Sequence, residues 1–302
     1  ALLAQRESEG RPIRVGIVGT GKFGGALAVQ ISKMKGMVTS AIADLNIETA
    51  QLAYTNCGLP VNAIRTVSGM AELEDAIVSG TPAVTQDAQL LIQAGPLDVI
   101  VEATGVPDIG ALYAYQAIQA GKHVVMVNVE ADVTVGAILR RHADAAGVVY
   151  TLVEGDQPGS TMNMVNWASA LGFEIVAAGR GTVFYGDDRQ GTPETVPERF
   201  GFSEEQLKRR HINLKMFNSF RDGSKAQLEM TALANAAGLV PDIRGMHEPS
   251  VNLEDIPRMC SLREEGGLLS QHGVVELANS VAEDGKTMLP RSEERRVGKE
   301  CA

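Results

Sequence analysis

A glycine-rich turn between an apolar run and a helical pattern constrains the fold of this chain more than any other feature. Residues 13–18 read IRVGIV, residues 19–24 read GTGKFG, and apolar residues then recur at helical spacing. Gly19 permits a tight turn, Gly21 lets another group approach the backbone, and Gly24 allows close packing of the helix on the strand. A strand, a turn and a helix in this order are typical of the start of a parallel α/β sheet.

The same alternation continues as far as residue 153. We predict strands at residues 13–18, 38–43, 84–87, 97–102, 123–128 and 148–153, and helices at residues 25–35, 46–55, 89–94, 108–120 and 133–147. Strands that alternate with helices of about 10 to 15 residues indicate right-handed βαβ crossovers. The predicted fold class is therefore α/β, with a doubly wound parallel sheet (Rossmann) over residues 12–153.

The character of the chain changes after this point. A polar loop leads into a helix that contains Trp167, which we assign to the core, and residues 173–182 are predicted to include a strand. After a long polar stretch, residues 185–221, a second helix ends at Gly238. Its predicted apolar face is formed by Leu228, Thr231, Leu233 and Ala236. We predict an α+β catalytic domain over residues 154–290, and we set residues 291–302 aside as a non-native tail.

Composition excludes several classes of partner. The net charge of −10 and the pI near 5.1 disfavour nucleic acid and anionic membrane surfaces. No apolar run approaches the roughly 18 residues of a membrane span, and the N-terminal residues do not have the pattern of a secretory signal. Cys57, Cys260 and Cys301 are too far apart to form a metal motif or a disulfide framework. We expect a soluble, cytoplasmic homo-oligomer.

The glycine turn and an acidic residue after the second predicted strand together predict a dinucleotide site. N–H groups at the helix start would meet the pyrophosphate. Asp44, twenty residues after Gly24, would accept hydrogen bonds from the adenosine ribose and repel a 2′-phosphate, which favours NAD. Lys22 could instead reach a 2′-phosphate, so NADP stays open. The alternative is a plain glycine-rich turn without a ligand.

Two later strand ends should lie at the same edge of the sheet. Ala103, Thr104 and Gly105 leave room for a flat nicotinamide ring, and Asn128 and Glu130 follow the next strand. The alternative for residues 103–105 is an ordinary turn. The predicted cofactor-binding residues are Gly19, Thr20, Gly21, Lys22, Phe23, Gly24, Asp44, Ala103, Thr104, Gly105 and Asn128.

These segments resemble a known group of proteins. The order GTGKFG, DVIVEATG, GKHVVMVN resembles the nucleotide-binding half of homoserine dehydrogenases. The segments EGDQPGSTMNMVNWASALGFEIVAAGRGT and FRDGSKAQLEMTALANAAGLVP are similar to the 1-deoxy-D-xylulose 5-phosphate reductoisomerase-like branch of that group. The resemblance covers residues 12–290. It implies NADPH- or NADH-dependent reduction of a small sugar phosphate, coupled to a rearrangement, as in isoprenoid biosynthesis.

One departure from the homoserine dehydrogenases bears on the substrate. Those enzymes have a Lys after the Asn of the third segment, whereas this chain has Val129. The difference argues against homoserine as the substrate.

Two clusters are candidates for the chemistry. Glu154 and Asp156 leave a predicted strand together, and their carboxylates could bind a divalent metal or share acid–base work. The alternative is a solvated loop in which Asp156 caps the next helix. Lys225 lies in the first turn of a predicted helix, where the helix dipole favours proton donation, and Asp222 precedes it. The resemblance implies a catalytic role for Lys225 and an orienting role for Asp222; the alternative is an exposed Lys225–Glu229 ion pair.

A basic stretch is the candidate for binding a substrate phosphate. It consists of Lys208, Arg209, Arg210, His211 and Lys215. The alternative is a solvated helix face. Two other functions also stay open: a dehydrogenase without an isomerisation step, and a regulatory protein that binds NAD(P) without turnover.

Overall fold

The computed structural model describes residues 1–155, 157–210 and 212–281, without the side chains of residues 208 and 210. The predicted tail, residues 291–302, lies outside these ranges. The chain divides into two units, the first ending at Val153 and the second beginning at Glu154. In the parts of the chain that are described, no helix has both the length and the apolarity to cross a membrane.

The first unit is built on a parallel sheet of seven strands. They are β1 (Ile13–Val18), β2 (Met37–Ala43), β3 (Arg65–Thr66), β4 (Ala83–Thr85), β5 (Val99–Glu102), β6 (His123–Met126) and β7 (Tyr150–Leu152). Their order is β3-β4-β2-β1-β5-β6-β7. The chain starts at β1, builds towards one edge with β2 to β4, and then crosses to the other side of β1 with β5. β1 and β5 therefore flank the point where the strand order reverses.

Helices cover both faces of this sheet. They are α1 (Leu2–Ser8), α2 (Lys22–Ile31), α3 (Ile47–Asn56), α4 (Met70–Ser79), α5 (Ala88–Gln93), α6 (Pro107–Gln119) and α7 (Val129–Ala146). On one face, Val15 and Ile17 of β1 pack with buried residues of α2 and α3. On the other face, Ile100 of β5 packs with buried residues of α5 and α6. Both faces of the sheet are covered by apolar packing, as the apolar strand sequences require.

The predicted fold class is confirmed, with differences in detail. Helix α2 begins three residues earlier than predicted, because the glycine turn itself forms its first turn. Helix α7 begins at Val129, because Oδ1 of Asn128 accepts the N–H of Ala131 and caps the helix there. The predictions also missed α1, α4 and the two-residue strand β3.

The second unit contains a smaller parallel sheet. Its strands are β8 (Ala177–Thr182), β9 (Val240–Pro241) and β10 (Val274–Asn279), in the order β8-β10-β9. Its helices are α8 (Gln157–Ala170), α9 (Val196–Arg199), α10 (Glu204–Arg210), α11 (Leu214–Arg221), α12 (Ser224–Ala237) and α13 (Ile256–Met259). Short 3₁₀ segments lie at Val61–Ala63 in the first unit, and at Asp188–Gln190, Leu253–Asp255 and Arg263–Glu265 in the second. In the core, α8 packs against α12 and β8, and α12 packs against β10.

Two predictions for the second unit are wrong. Trp167 is 67% exposed, because Val165 of α8 faces the core and a residue two positions away lies on the far side of the helix. The predicted apolar face of α12 is also misplaced, since Thr231 is exposed. The buried face of α12 carries two charged side chains and is formed by Lys225, Ala226, Glu229, Met230, Ala232 and Leu233.

Candidate functional site

The glycine turn closes tightly on the end of β5. Gly19 has a φ of +91°, and a Cβ on it would lie 2.6 Å from the carbonyl oxygen of Ala103. A Cβ on Gly24 would lie 2.1 Å from the carbonyl oxygen of Gly19. Both positions therefore exclude any side chain. The result is direct backbone packing between the turn, the start of α2 and the Ala103–Thr104 segment.

Gly21 has a different environment at the N-terminus of α2. A Cβ there would meet nothing within 4 Å, and Gly21 forms no side-chain cap. The first N–H groups of a helix have no partners inside it, and the helix dipole favours an anion near them. The open space over Gly21 and the uncapped helix start fit the pyrophosphate of a dinucleotide.

Asp44 ties the turn to the end of β2. The N–H and the hydroxyl of Thr20 both donate to Oδ2 of Asp44 at 2.7 Å, and the N–H of Asn46 donates to Oδ1 at 2.9 Å. Thr20 is buried, whereas Lys22 and Phe23 are exposed. A carboxylate has about four acceptor positions. Asp44 therefore holds the turn in place and keeps capacity for one further donor, such as a ribose hydroxyl.

The Ala103–Gly105 turn lies where the strand order reverses, beside the glycine turn. Ligands of open α/β sheets bind at this position. The N–H of Thr104 donates to Oε1 of Glu102 at 2.9 Å, and the Thr104 hydroxyl donates to the same oxygen. Gly105 has a φ of +68° and is exposed. Glu102 thus holds the Ala103–Gly105 turn through these two hydrogen bonds, a role that was not predicted from the sequence.

Glu102 is an unusual carboxyl group. It is 0% exposed at the end of β5, and its Oε2 has no hydrogen-bond partner. Burial raises the pKa of Glu102, while the hydrogen bonds from Thr104 and, to a smaller extent, the Asn128 amide act in the opposite direction. A charged residue at the end of the apolar run VIVE was the available sequence signal.

Asn128 lies beneath the sheet edge rather than on its surface. It is 3% exposed, and its Oδ1 caps α7. A Cβ built on Gly110 would lie 2.9 Å from Nδ2 of Asn128 and 2.6 Å from Oε2 of Glu102. Both atoms therefore lie on the same side of Gly110. Neither atom has a partner within strict hydrogen-bond geometry, yet the Asn128 amide is close enough to lower the pKa of Glu102. Asn128 therefore acts on Glu102 as well as on the start of α7, and its predicted contact with the cofactor stays a prediction.

The second unit buries its candidate proton donor. Lys225 is 7% exposed in the first turn of α12, and Glu229, one turn later, is 1% exposed. Glu229 forms an ion pair with Arg180 of β8. The arrangement therefore differs from an exposed Lys225–Glu229 pair. Arg180 and Glu229 were missed as site residues, although Lys225 and Glu229 recur at the spacing of one helix face.

Asp222 supports α12 at its start. Its Oδ1 accepts the N–H of Ser224 at 2.8 Å, and its Oδ2 accepts Nδ2 of the buried Asn218 at 2.7 Å. Nδ2 of Asn218 also donates to the carbonyl oxygen of Gly191 at 3.1 Å. Asp222 thus links α11, α12 and the 191 loop, and it places Lys225 through the backbone.

The remaining candidate residues are exposed or lie outside the described part of the chain. Oε1 of Glu154 accepts Nδ2 of Asn163 at 2.7 Å, and Asp156 lies outside the described residues. In the described part of the chain, no group of three or more His, Cys, Asp or Glu residues could hold a metal ion. Of the predicted phosphate site, Arg209 and Lys215 are exposed. The side chains of Lys208 and Arg210, and all of His211, lie outside the description.

Comparison with known protein families found one match in each unit. A family model for the NAD-binding domain of homoserine dehydrogenase matches residues 19–152. A second model, described as the catalytic domain of oxidoreductase DRL, matches residues 155–297. The chain therefore matches an NAD-binding domain followed by the catalytic domain of an oxidoreductase. No curated protein matches the sequence.

Similar solved structures include three dehydrogenases and oxidoreductases. A homoserine dehydrogenase from Thiobacillus denitrificans is 23% identical over 47% of this chain and 29% of its own, with a TM-score of 0.33. The WlbA dehydrogenase from Bordetella pertussis, solved with NADH and UDP-GlcNAcA, is 21% identical over 59% and 49%, with a TM-score of 0.42. An oxidoreductase from Agrobacterium radiobacter, solved with NAD+, L-tartaric acid and magnesium, is 16% identical over 60% and 47%, with a TM-score of 0.42. The chain spans half or less of the length of these structures.

Proposed function

We propose that this chain reduces the carbonyl group of a small sugar phosphate with NADPH or NADH, and that the reduction is coupled to an isomerisation of the substrate. The observation that carries the proposal is the burial of Lys225 in the first turn of α12, within the part of the chain that matches an oxidoreductase catalytic domain. Lysine is mostly exposed in proteins, so a buried lysine in this segment is unusual. Carbonyl reduction requires a proton donor at the developing alkoxide, and we assign that role to Lys225.

Each group of residues then has a separate task. The first N–H groups of α2 bind the pyrophosphate, and the Ala103–Gly105 turn holds the nicotinamide ring, which supplies the hydride when the cofactor is bound. Nζ of Lys225 donates a proton to the carbonyl oxygen of the substrate. The Arg180–Glu229 pair constrains the next turn of α12, and Asp222 constrains the turn before it.

The substitution Lys225→Ala tests the proton donor. We expect turnover to fall by at least about a hundredfold, because general acid catalysis contributes that much, while the affinity for the reduced cofactor changes little. Cofactor binding by fluorescence and single-turnover oxidation of NADPH measure the two effects. Lys33→Ala, at an exposed lysine of the first unit, is the matched control and should leave both unchanged. Unaltered turnover in Lys225→Ala would remove Lys225 from the mechanism.

Product analysis tests the coupled isomerisation. With isotopically labelled 1-deoxy-D-xylulose 5-phosphate and NADPH, the proposal predicts a product with a rearranged carbon skeleton. A reduced product with the original skeleton would instead assign the chain to the dehydrogenases without isomerisation. Cofactor binding without oxidation of NADPH by any carbonyl compound would indicate a non-catalytic, NAD(P)-sensing protein.

Two finer expectations belong to the same proposal. The exposed Arg209 and Lys215 support a phosphate group on the substrate, because lysine and arginine are its usual partners. An apolar stripe on α8 and the residue after it supports self-association of the chain, because large exposed apolar patches often mark interfaces. The stripe consists of Met164, Trp167 and Leu171, each more than half exposed.

A further inference from the structure

The buried carboxyl group of Glu102 has no part in the proton transfer proposed above, yet it lies directly under the proposed nicotinamide turn. It is the last residue of β5, and Oε1 holds both the N–H and the hydroxyl of Thr104. Oε2 is buried without a hydrogen-bond partner. A buried carboxyl group with one unsatisfied oxygen costs free energy, and such a cost commonly marks a functional group.

The charge of the nicotinamide ring changes during the reaction. The reduced ring is neutral, and loss of a hydride from C4 leaves the oxidised ring with one positive charge. A carboxylate near this cation is stabilised by it, whereas a carboxylate near the neutral ring receives no such help. Glu102 therefore faces two different electrostatic environments, one for each form of the cofactor.

We propose that Glu102 couples the redox state of the bound nicotinamide to a protonation equilibrium: it is ionised beneath the oxidised ring and takes up a proton from solvent when the ring is reduced. The inference rests on the proposed function in one respect, namely that the ring occupies the Ala103–Gly105 turn. With the cofactor supplying the hydride, Lys225 would give the proton to the substrate oxygen, and Glu102 would release its own proton to solvent. Glu102 is a positioning and electrostatic group and does not touch the substrate.

The surroundings of Glu102 favour this assignment. Its strand neighbours in β1 and β6 are Val18 and Met126, and Gly110 of α6 packs against Oε2. Asp132 of α7 is the nearby second carboxyl group, and it accepts a hydrogen bond of 2.8 Å from the hydroxyl of Tyr150 in β7. Burial raises the pKa of Asp132. Burial also raises the pKa of Tyr150, followed by the charge and hydrogen bond of Asp132 and, least, by the charge of Glu102. Among the described residues that these elements contribute, no cation competes for Glu102.

The orientation of Asn128 explains why a carboxylate is accepted here. Oδ1 of Asn128 accepts the N–H of Ala131, and Nδ2 lies on the same side of Gly110 as Oε2 of Glu102. An N–H donor beside Oε2 is compatible with the ionised form. The site can therefore hold Glu102 in either protonation state. Burial favours the neutral form, whereas Thr104 and Asn128 favour the charged form.

Equilibrium binding measures this coupling without turnover. The dissociation constants of the oxidised and reduced forms of NAD, and of NADP, are determined between pH 5 and 9 by calorimetry and fluorescence. For the unaltered chain, we expect the ratio of the reduced-form to the oxidised-form constant to rise with pH, by about tenfold in total, because ionised Glu102 favours the cationic ring. In Glu102→Gln the ratio should stay at its low-pH value throughout.

Two further variants sharpen the result. Asp98→Asn removes a carboxylate at the opposite end of the β5 segment, where Oδ2 accepts the N–H of Arg14, and should keep the full pH dependence. Asp132→Asn should keep it as well, and loss of the dependence in that variant would overturn the assignment to Glu102. A ratio independent of pH in the unaltered chain overturns the inference even if Glu102→Gln fails to fold. Absence of binding by all four nucleotides overturns the proposed function itself, and this inference with it.

Discussion

At the scale of single residues, the three glycines of the turn have separate physical tasks. Gly19 and Gly24 are surrounded by backbone atoms, so their lack of a side chain lets the turn close. Gly21 borders open space, so its lack of a side chain serves a ligand rather than the fold. The motif therefore combines a folding requirement with a binding requirement, and substitutions can separate the two.

Alanine substitutions at these glycines test this division. Gly24→Ala should destabilise the chain by about 1–3 kcal/mol, because its Cβ would overlap the carbonyl oxygen of Gly19. Gly21→Ala should leave the melting temperature unchanged and weaken cofactor binding at least tenfold. Gly25→Ala, where the new Cβ has only an ordinary contact at 3.7 Å, is the control and should bind cofactor normally. Thermal melts and NADH titrations provide both measurements. Equal affinities in Gly21→Ala and the unaltered chain would contradict a pyrophosphate at this position.

At the scale of elements, α12 brings the charged groups of the second unit into its core. Two of its first six residues are a buried Lys and a buried Glu, and the carboxylate of the Glu meets Arg180 on β8. Breaking a buried ion pair is costly, because one charge is left without its partner. The position of α12 along its axis is therefore set by charge pairing as well as by apolar packing.

The start of α12 is held by Asp222, whose Oδ1 accepts the N–H of Ser224, the first residue of the helix. Asp222→Ala removes the acceptor of the Ser224 N–H, and we expect a loss of about 1 kcal/mol in the free energy of unfolding together with a clear fall in turnover. Asn213→Ala is the matched control, because Asn213 also accepts a backbone N–H at the start of a helix, that of Met216 in α11. It should cost similar stability and leave turnover nearly intact. If both variants lose turnover equally, Asp222 acts only on stability. Urea denaturation and steady-state rates supply the comparison.

At the scale of the whole molecule, buried carboxyl groups in the first unit make its stability depend on pH. Burial raises the pKa of Glu102 above its ordinary value of 4.5, so the folded state holds that proton more tightly than the unfolded state. This contribution to stability is fully present below pH 4.5 and is lost as pH rises through the folded-state pKa. Asp132 acts in the same direction.

Glu102→Gln should remove the part of this pH dependence that belongs to Glu102. We expect the stability of the unaltered chain, measured relative to Glu102→Gln by urea denaturation, to decrease as pH rises above about 4.5. Asp98→Asn serves again as the control and should follow the unaltered chain. A difference between Glu102→Gln and the unaltered chain that does not vary with pH would show that Glu102 has the same pKa in the folded and unfolded states.

The sequence by itself determined the doubly wound arrangement of the first unit, although not α1, α4 and β3. Short apolar strands, helical periodicity and glycines at fixed positions are local signals, and each βαβ crossover has one favoured hand, so the doubly wound sheet follows from them. The glycine turn, Asp44 and the 103–105 turn could be placed at one sheet edge for the same reason.

Only the tertiary structure decided the buried polar groups. Glu229 is buried because Arg180, 49 positions away, meets it, and Asn128 turns inward because α7 starts at the next residue. Trp167 is exposed because α8 presents a different face to the core. Contacts between residues far apart in the chain leave no periodic pattern, so the charge on Glu102 or Lys225 suggests a surface position until the packing around it is known.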